Sequence, residues 1–107
     1  MSSRVETPRG LWVYWACEGQ KDFSRVQDIG VGGLFIETPK PRRVGGATKL
    51  QFIVEEGKIR AEAVIQHVKP GRGLGLKITA VRDEDRRQFG KLLARVRAWS
   101  GKFEESR

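Results

Sequence analysis

A chain of 107 residues can enclose one hydrophobic core and is too short for two. Its 21 basic against 13 acidic side chains leave a net charge of +8, which favours an anionic partner: nucleotide, nucleic acid, acidic protein or anionic membrane surface. A lone cysteine, Cys17, excludes an internal disulfide, and together with the single His67 it offers too few soft or imidazole ligands for zinc.

No run approaches the roughly 20 apolar residues of a membrane helix. The first residues lack the apolar centre of a signal peptide, so the sequence predicts a soluble, cytoplasmic protein. Residues 1–9 are polar and include Pro8; they read as a flexible basic N-terminal arm carrying Arg4 and Arg9. Leu11-Trp12-Val13-Tyr14-Trp15 is dense in aromatic and branched residues and predicts a first strand. Both of its faces are apolar, so one is expected to meet the core and the other a helix or partner; Trp12, Tyr14 and Trp15 are expected as core and helix-packing residues, with stacking on nucleic acid as the alternative. A turn over 18–21 leads to a second strand over 24–29.

The most informative stretch follows: Asp28-Ile29-Gly30-Val31-Gly32-Gly33-Leu34-Phe35-Ile36. Gly30, Gly32 and Gly33 admit backbone angles closed to other residues, so the chain can bend sharply and pass close to a ligand. Asp28, just before the bend, can accept N–H groups from a ligand or from the turn itself. A third strand over 34–38 is ended by Pro39 and Pro41, and Lys40, Arg42 and Arg43 make the next connection basic.

Leu50, Phe52 and Val54 alternate with Lys49 and Gln51, and after a hairpin turn over 55–58 Ile59, Ala61, Ala63 and Ile65 alternate with Arg60, Glu62 and Gln66. A turn over 70–73 precedes a further alternating set, Leu74, Leu76, Ile78 and Ala80. Six short antiparallel strands with tight turns predict an all-β fold, a small barrel without exposed sheet edges. The period changes at Asp83, a candidate helix cap. Phe89, Leu92, Leu93, Val96 and Trp99 then recur at helical spacing, predicting a C-terminal α-helix over 83–99 packed across the barrel, with Gly101 as its stop. The barrel domain with its helix is expected over 10–100, and 101–107 as a polar tail.

His67 has no nucleophile partner in the pattern, Cys17 follows an aromatic strand as a small packed residue, and the acidic residues fall mostly on turns. No catalytic constellation emerges, and the protein is expected not to be an enzyme.

The nine-residue stretch from Asp28 to Ile36 resembles the Asp-x-Ser-x-x-Gly signature of PilZ domains, with Gly30 standing where the family has Ser. The resemblance runs on through the prolines, the alternating strands and Gly73-Leu74-Gly75-Leu76, covering most of the chain. It implies a six-stranded antiparallel PilZ-like barrel and a bacterial receptor for the second messenger cyclic di-GMP, with no other cofactor and no metal. In that family an Arg-x-x-x-Arg segment before the first strand folds over the ligand, because the planar guanidinium pairs with phosphate oxygens and guanine O6 and N7. The resemblance carries over directly to Asp28 and Gly33, and the expected ligand-binding set is these two with Arg4, Arg9 and Gly30. Two positions depart from the pattern: Arg4 and Arg9 are separated by four residues rather than three, and Gly30 lacks the serine hydroxyl. The expected partners are cyclic di-GMP and an unidentified downstream protein, for a monomer or homodimer that does not insert into membranes and for which nucleic acid is not the expected ligand. The alternatives are a degenerate adaptor that works by protein contact without the nucleotide, and a basic barrel that binds nucleic acid.

Overall fold

The computed structural model describes residues 5–7 and 10–105. Their elements, in chain order, are β1 (Val5–Glu6), β2 (Trp12–Cys17), β3 (Gln20–Ile29), β4 (Gly33–Glu37), β5 (Ala47–Val54), β6 (Gly57–Lys69), β7 (Gly73–Val81), a 3-10 turn over Asp83–Asp85, and helix α1 (Arg86–Glu105). Every pairing is antiparallel. The order β3-β2-β5-β6-β7-β4 closes on itself where β4 also pairs with β3, giving the six-stranded barrel and C-terminal helix that alternation predicts.

The two-residue β1 is an addition to that plan. It lies on the same side of β3 as β2 does, pairing Val5 with Ile29 and Glu6 with Asp28, whereas Trp12 of β2 pairs with Arg25. Thr7 extends the attachment: its N–H donates to the Gln27 carbonyl at 3.1 Å and its hydroxyl to the Val26 carbonyl. So where the sequence predicts an arm over 1–9, residues 5–7 are joined to the barrel. Arg4 and Arg9 lie outside the described residues.

Inward residues at period 2 fill the barrel. Val13, Val26, Phe52, Ile59, Leu74 and Leu76 are fully buried, each contributing about 1.5–3 kcal/mol relative to exposure. Helix α1 adds Phe89, Leu92, Leu93 and Val96 to the same core. It lies at the end where β5 turns into β6. There the Arg95 guanidinium pairs with Glu55 at 2.8 Å and donates to Glu56 at 3.0 Å, and Arg60 pairs with Asp85 at 2.8 Å. At the opposite end the 38–46 connection crosses the barrel: the Arg42 guanidinium lies 5.0 Å from the centre of the Trp15 ring, whose Nε1–H donates to Ser24 Oγ at 3.0 Å.

Four expectations are corrected. Asp83 makes no capping bond to the turn that it opens, but pairs with Arg86 at 3.2 Å; the acid that anchors the helix is the buried Asp85. Gly101 does not stop α1, which runs on to Glu105, since one glycine costs a helix only about 1 kcal/mol. The turn before β3 is the two residues Glu18 and Gly19, both at positive φ (53° and 79°), which matches the twist of a tight hairpin and lets β3 begin at Gln20. Finally, of the aromatic residues of β2 only Trp15 is core; Trp12 and Tyr14 are 40% and 49% exposed on the outer face of the barrel.

Candidate functional site

The glycine bend joins β3 to β4. Gly30 N–H donates to the Gly33 carbonyl at 2.9 Å, and Gly32 accepts the Ile78 N–H at 3.0 Å, tying the bend to β7. None of its glycines is at positive φ; those are Gly19, Gly45, Gly57 and Gly71. The expectation of a special backbone angle is therefore corrected to one of space. A Cβ on Gly33 would drive into the carbonyl oxygen of Leu76 on β7, so only glycine lets β4 start this close to its neighbour.

Asp28 is the next-to-last residue of β3, and a β-bulge sets its direction. Val26 pairs with Ile36 and Asp28 with Phe35, so Gln27 is an extra residue in β3. Without it, strict alternation from the buried Val26 would turn Asp28 inward and Ile29 outward; with it, Ile29 is fully buried and Asp28 joins the outer face. Asp28 is half-buried there, with Oδ1 shielded from solvent. Asp28, Gly30 and Gly33 are thus gathered on one hairpin.

The register places further residues beside them. Asp28 is opposite Phe35, Phe35 opposite Gly75, and Gly75 opposite His67, a single outward row across β3, β4, β7 and β6. His67 reaches this row through a second bulge, at Gln66, since Ile65 pairs with Leu76 and His67 with Gly75. The imidazole lies over Gly75, where any Cβ would collide with the ring, and its centre is 6.2 Å from that of Phe35. Gly73, one outward position along β7, is similarly covered by the Phe35 ring. Lys69 Nζ sits 5.4 Å from the Phe35 ring centre, and Arg25 pairs with Glu37 at 2.7 Å on the flank. The row thus sets a half-buried carboxylate beside a tight turn at one end, with Phe35, Gly73 and Gly75 buried along it and the half-buried His67 and exposed Lys69 towards the other. An acceptor near a cation suits an anionic ligand with N–H donors.

Sequence reasoning missed Phe35, His67 and Gly75 as neighbours of Asp28. The outward placement of Phe35 between the inward Leu34 and Ile36 was available from alternation, but nothing in the sequence marks the bulges that align Asp28 and His67. The basic 40–43 connection lies elsewhere: Arg42 and Arg43 border a groove with Cys17, Glu18 and Gln20 at the β2–β3 turn, the end of β3 away from Asp28.

Among the described residues, no three His, Cys, Asp or Glu side chains are placed to hold a metal ion, and no helix is long and apolar enough to cross a membrane. The family model of the PilZ domain matches residues 2–95. No curated protein matches the chain. Among solved structures, the PilZ domain of YcgR from Escherichia coli with c-di-GMP superposes with a TM-score of 0.73 at 15% identity, over 97% of this chain and 95% of that one. MrkH of K. pneumonia in its apo state gives a TM-score of 0.76, also at 15% identity, over 94% of this chain; the chain spans 50% of the length of that structure.

Proposed function

The chain belongs to the PilZ domain family, and on that premise we propose that it is a cytoplasmic receptor module for cyclic di-GMP that relays the level of this messenger to a partner protein and acts by binding, not catalysis. The observation that carries the proposal is the outward Asp28: a bulge aims the signature carboxylate at the outer face, next to a bend held tight by Gly33. A carboxylate there accepts the N–H donors of a guanine edge, and a base can approach the backbone at the crest of the bend, Val31 and Gly32, Gly30 and Gly33 being buried.

Arg4 and Arg9 complete the proposed site from the sequence side. Arg4 directly precedes Val5, which pairs with Ile29, and Arg9 follows two residues after Thr7, which bonds to Gln27. Along the chain, each arginine is thus one or two residues from a residue bonded to β3. Their guanidinium forks supply charge-assisted bonds to the phosphates of the ligand.

Titration calorimetry of the purified protein with cyclic di-GMP, with GTP as control, tests the proposal. Binding of cyclic di-GMP alone is expected, weakened in Asp28→Ala while the thermal transition is retained. Equal affinity of the two proteins removes Asp28 from the site. Absence of binding at micromolar nucleotide favours the second reading, an adaptor that has lost the ligand. The observation favouring that reading is Gly30, whose missing hydroxyl removes a contact worth about 1 kcal/mol.

A further inference from the structure

Three aromatic side chains stand on the outer face of β2 and β3, where a barrel strand ordinarily presents polar residues. Trp12, Tyr14 and Phe23 are 40%, 49% and 46% exposed. The Phe23 ring stacks on Trp12 with centres 4.9 Å apart and 16° between planes, and meets Tyr14 at 4.4 Å and 37°. Ile53 of β5, also exposed, extends the apolar surface. A contiguous exposed patch of this kind on a small domain marks a binding surface.

Its rim carries more bases than acids, although two of the bases are already paired, Arg25 with Glu37 and Arg60 with Asp85. One outward row runs from Phe23 through Tyr14 and Gln51 to Arg60, and the next from Lys21 through Ala16 and Lys49 to Glu62. Lys58 stands opposite Ile53, and Arg25 opposite Trp12. A groove of about 690 Å³ adjoins the rings, with Tyr14 and Ile53 in its wall; it holds Lys21, Lys49, Arg60 and Arg82 against Asp22 and Glu62. A second copy of this chain would oppose one basic rim with another, so self-association through this face is disfavoured.

We propose that this face binds single-stranded nucleic acid, a function separate from the cyclic di-GMP site around Asp28. A single strand presents open base faces for the rings and a line of phosphates for Lys21 and Lys49 in the adjoining row. Phe23 contacts both Trp12 and Tyr14, so the faces left for bases are those of this three-ring group turned away from Phe23. In a duplex the base faces are sealed by stacking, leaving only the phosphates to contact. An acidic protein segment would satisfy the lysines but bring no series of flat faces to the rings.

Fluorescence anisotropy with a labelled oligothymidylate of about 12 nucleotides tests the proposal. Tyr14→Ala and Phe23→Ala should each weaken binding about tenfold without changing the dependence of log affinity on log salt. Lys21→Ala with Lys49→Ala should instead make that slope shallower by about 1.4. Tyr14→Thr and Phe23→Thr, which keep strand propensity, serve if an alanine variant fails to fold. Failure of the wild type to bind the oligonucleotide overturns the proposal, as does binding that is indifferent to the aromatic substitutions or equally tight to the matched duplex. Displacement of the oligonucleotide by polyglutamate at equal charge concentration also overturns it, and makes the face a docking site for an acidic protein.

Discussion

Asp28 and His67 occupy the two ends of one outward row across four strands, and each is there because its own strand carries one extra residue. Between them stand Phe35 and Gly75, and the His67 ring fills the space that a side chain on Gly75 would need. The ligand surface proposed here is thus set by two local irregularities of the ladder as much as by the signature itself.

Gly75→Ala should destabilise the protein by about 1–3 kcal/mol, because the new methyl displaces the His67 ring. The obstacle is a side chain, so the cost should be largely relieved in the His67→Ala background. Urea melts of the two single variants and the double variant measure the coupling; simple additivity would mean that the ring and the glycine do not share this space.

Gly33→Ala has no such remedy, since the obstacle is the backbone carbonyl of Leu76. A loss of about 1–3 kcal/mol is expected, with weaker ligand binding as the bend moves away from β7. Gly90→Ala should do the opposite. It lies on the exposed side of α1 with nothing within 4 Å, so replacing glycine in mid-helix should add about 0.5–1 kcal/mol. Denaturant midpoints decide both signs.

Acid should loosen the helix from the barrel. Hydrogen bonds from the Arg60 side chain hold the Asp85 carboxyl below its ordinary range, and those from Arg95 do the same for Glu56. A carboxylate lowered in the folded state contributes its full stability above its unfolded pKa, near 4, and loses it as pH falls through the lower folded value. The thermal midpoint should therefore decline below about pH 5, and the decline should be shallower in Asp85→Asn, whose amide does not titrate. Parallel pH profiles for the two proteins would refute the assignment.

Arg4→Ala and Arg9→Ala should each lower cyclic di-GMP affinity, by about ten- to a hundredfold if each forms a charge-assisted bond to phosphate worth about 1.5–3 kcal/mol. Both effects should shrink at high salt, where screening already weakens the contact. Calorimetry at two salt concentrations is the check. A double variant that binds as tightly as the wild type would exclude both arginines from the site.

The barrel was legible because its core obeys period 2: Leu50 and Phe52, then Ile59, Ala61, Ala63 and Ile65, then Leu74 and Leu76 face inward as alternation predicts, whereas Ala80, opposite Glu62 beyond a register shift, is exposed. The bulges at Gln27 and Gln66 were not, since an extra residue in a ladder has no signature of its own and shows only when the partner strand is known. The exposure of Trp12 and Tyr14 was misread for a related reason. An apolar residue on each face of a strand predicts two covered faces, yet α1 covers an end of the barrel and leaves this wall open. The choice between Asp83 and Asp85 as the anchoring acid turned on Arg60, twenty-five residues away from Asp85, a distance over which sequence pattern says nothing.

Strand β1 is only two residues long, yet it touches both halves of the molecule that a receptor must connect. On one side its backbone pairs with Ile29 and Asp28 of the signature, and on the other it packs against α1. The smallest element of the fold is therefore the one through which the strand carrying Asp28 and the helix share a neighbour.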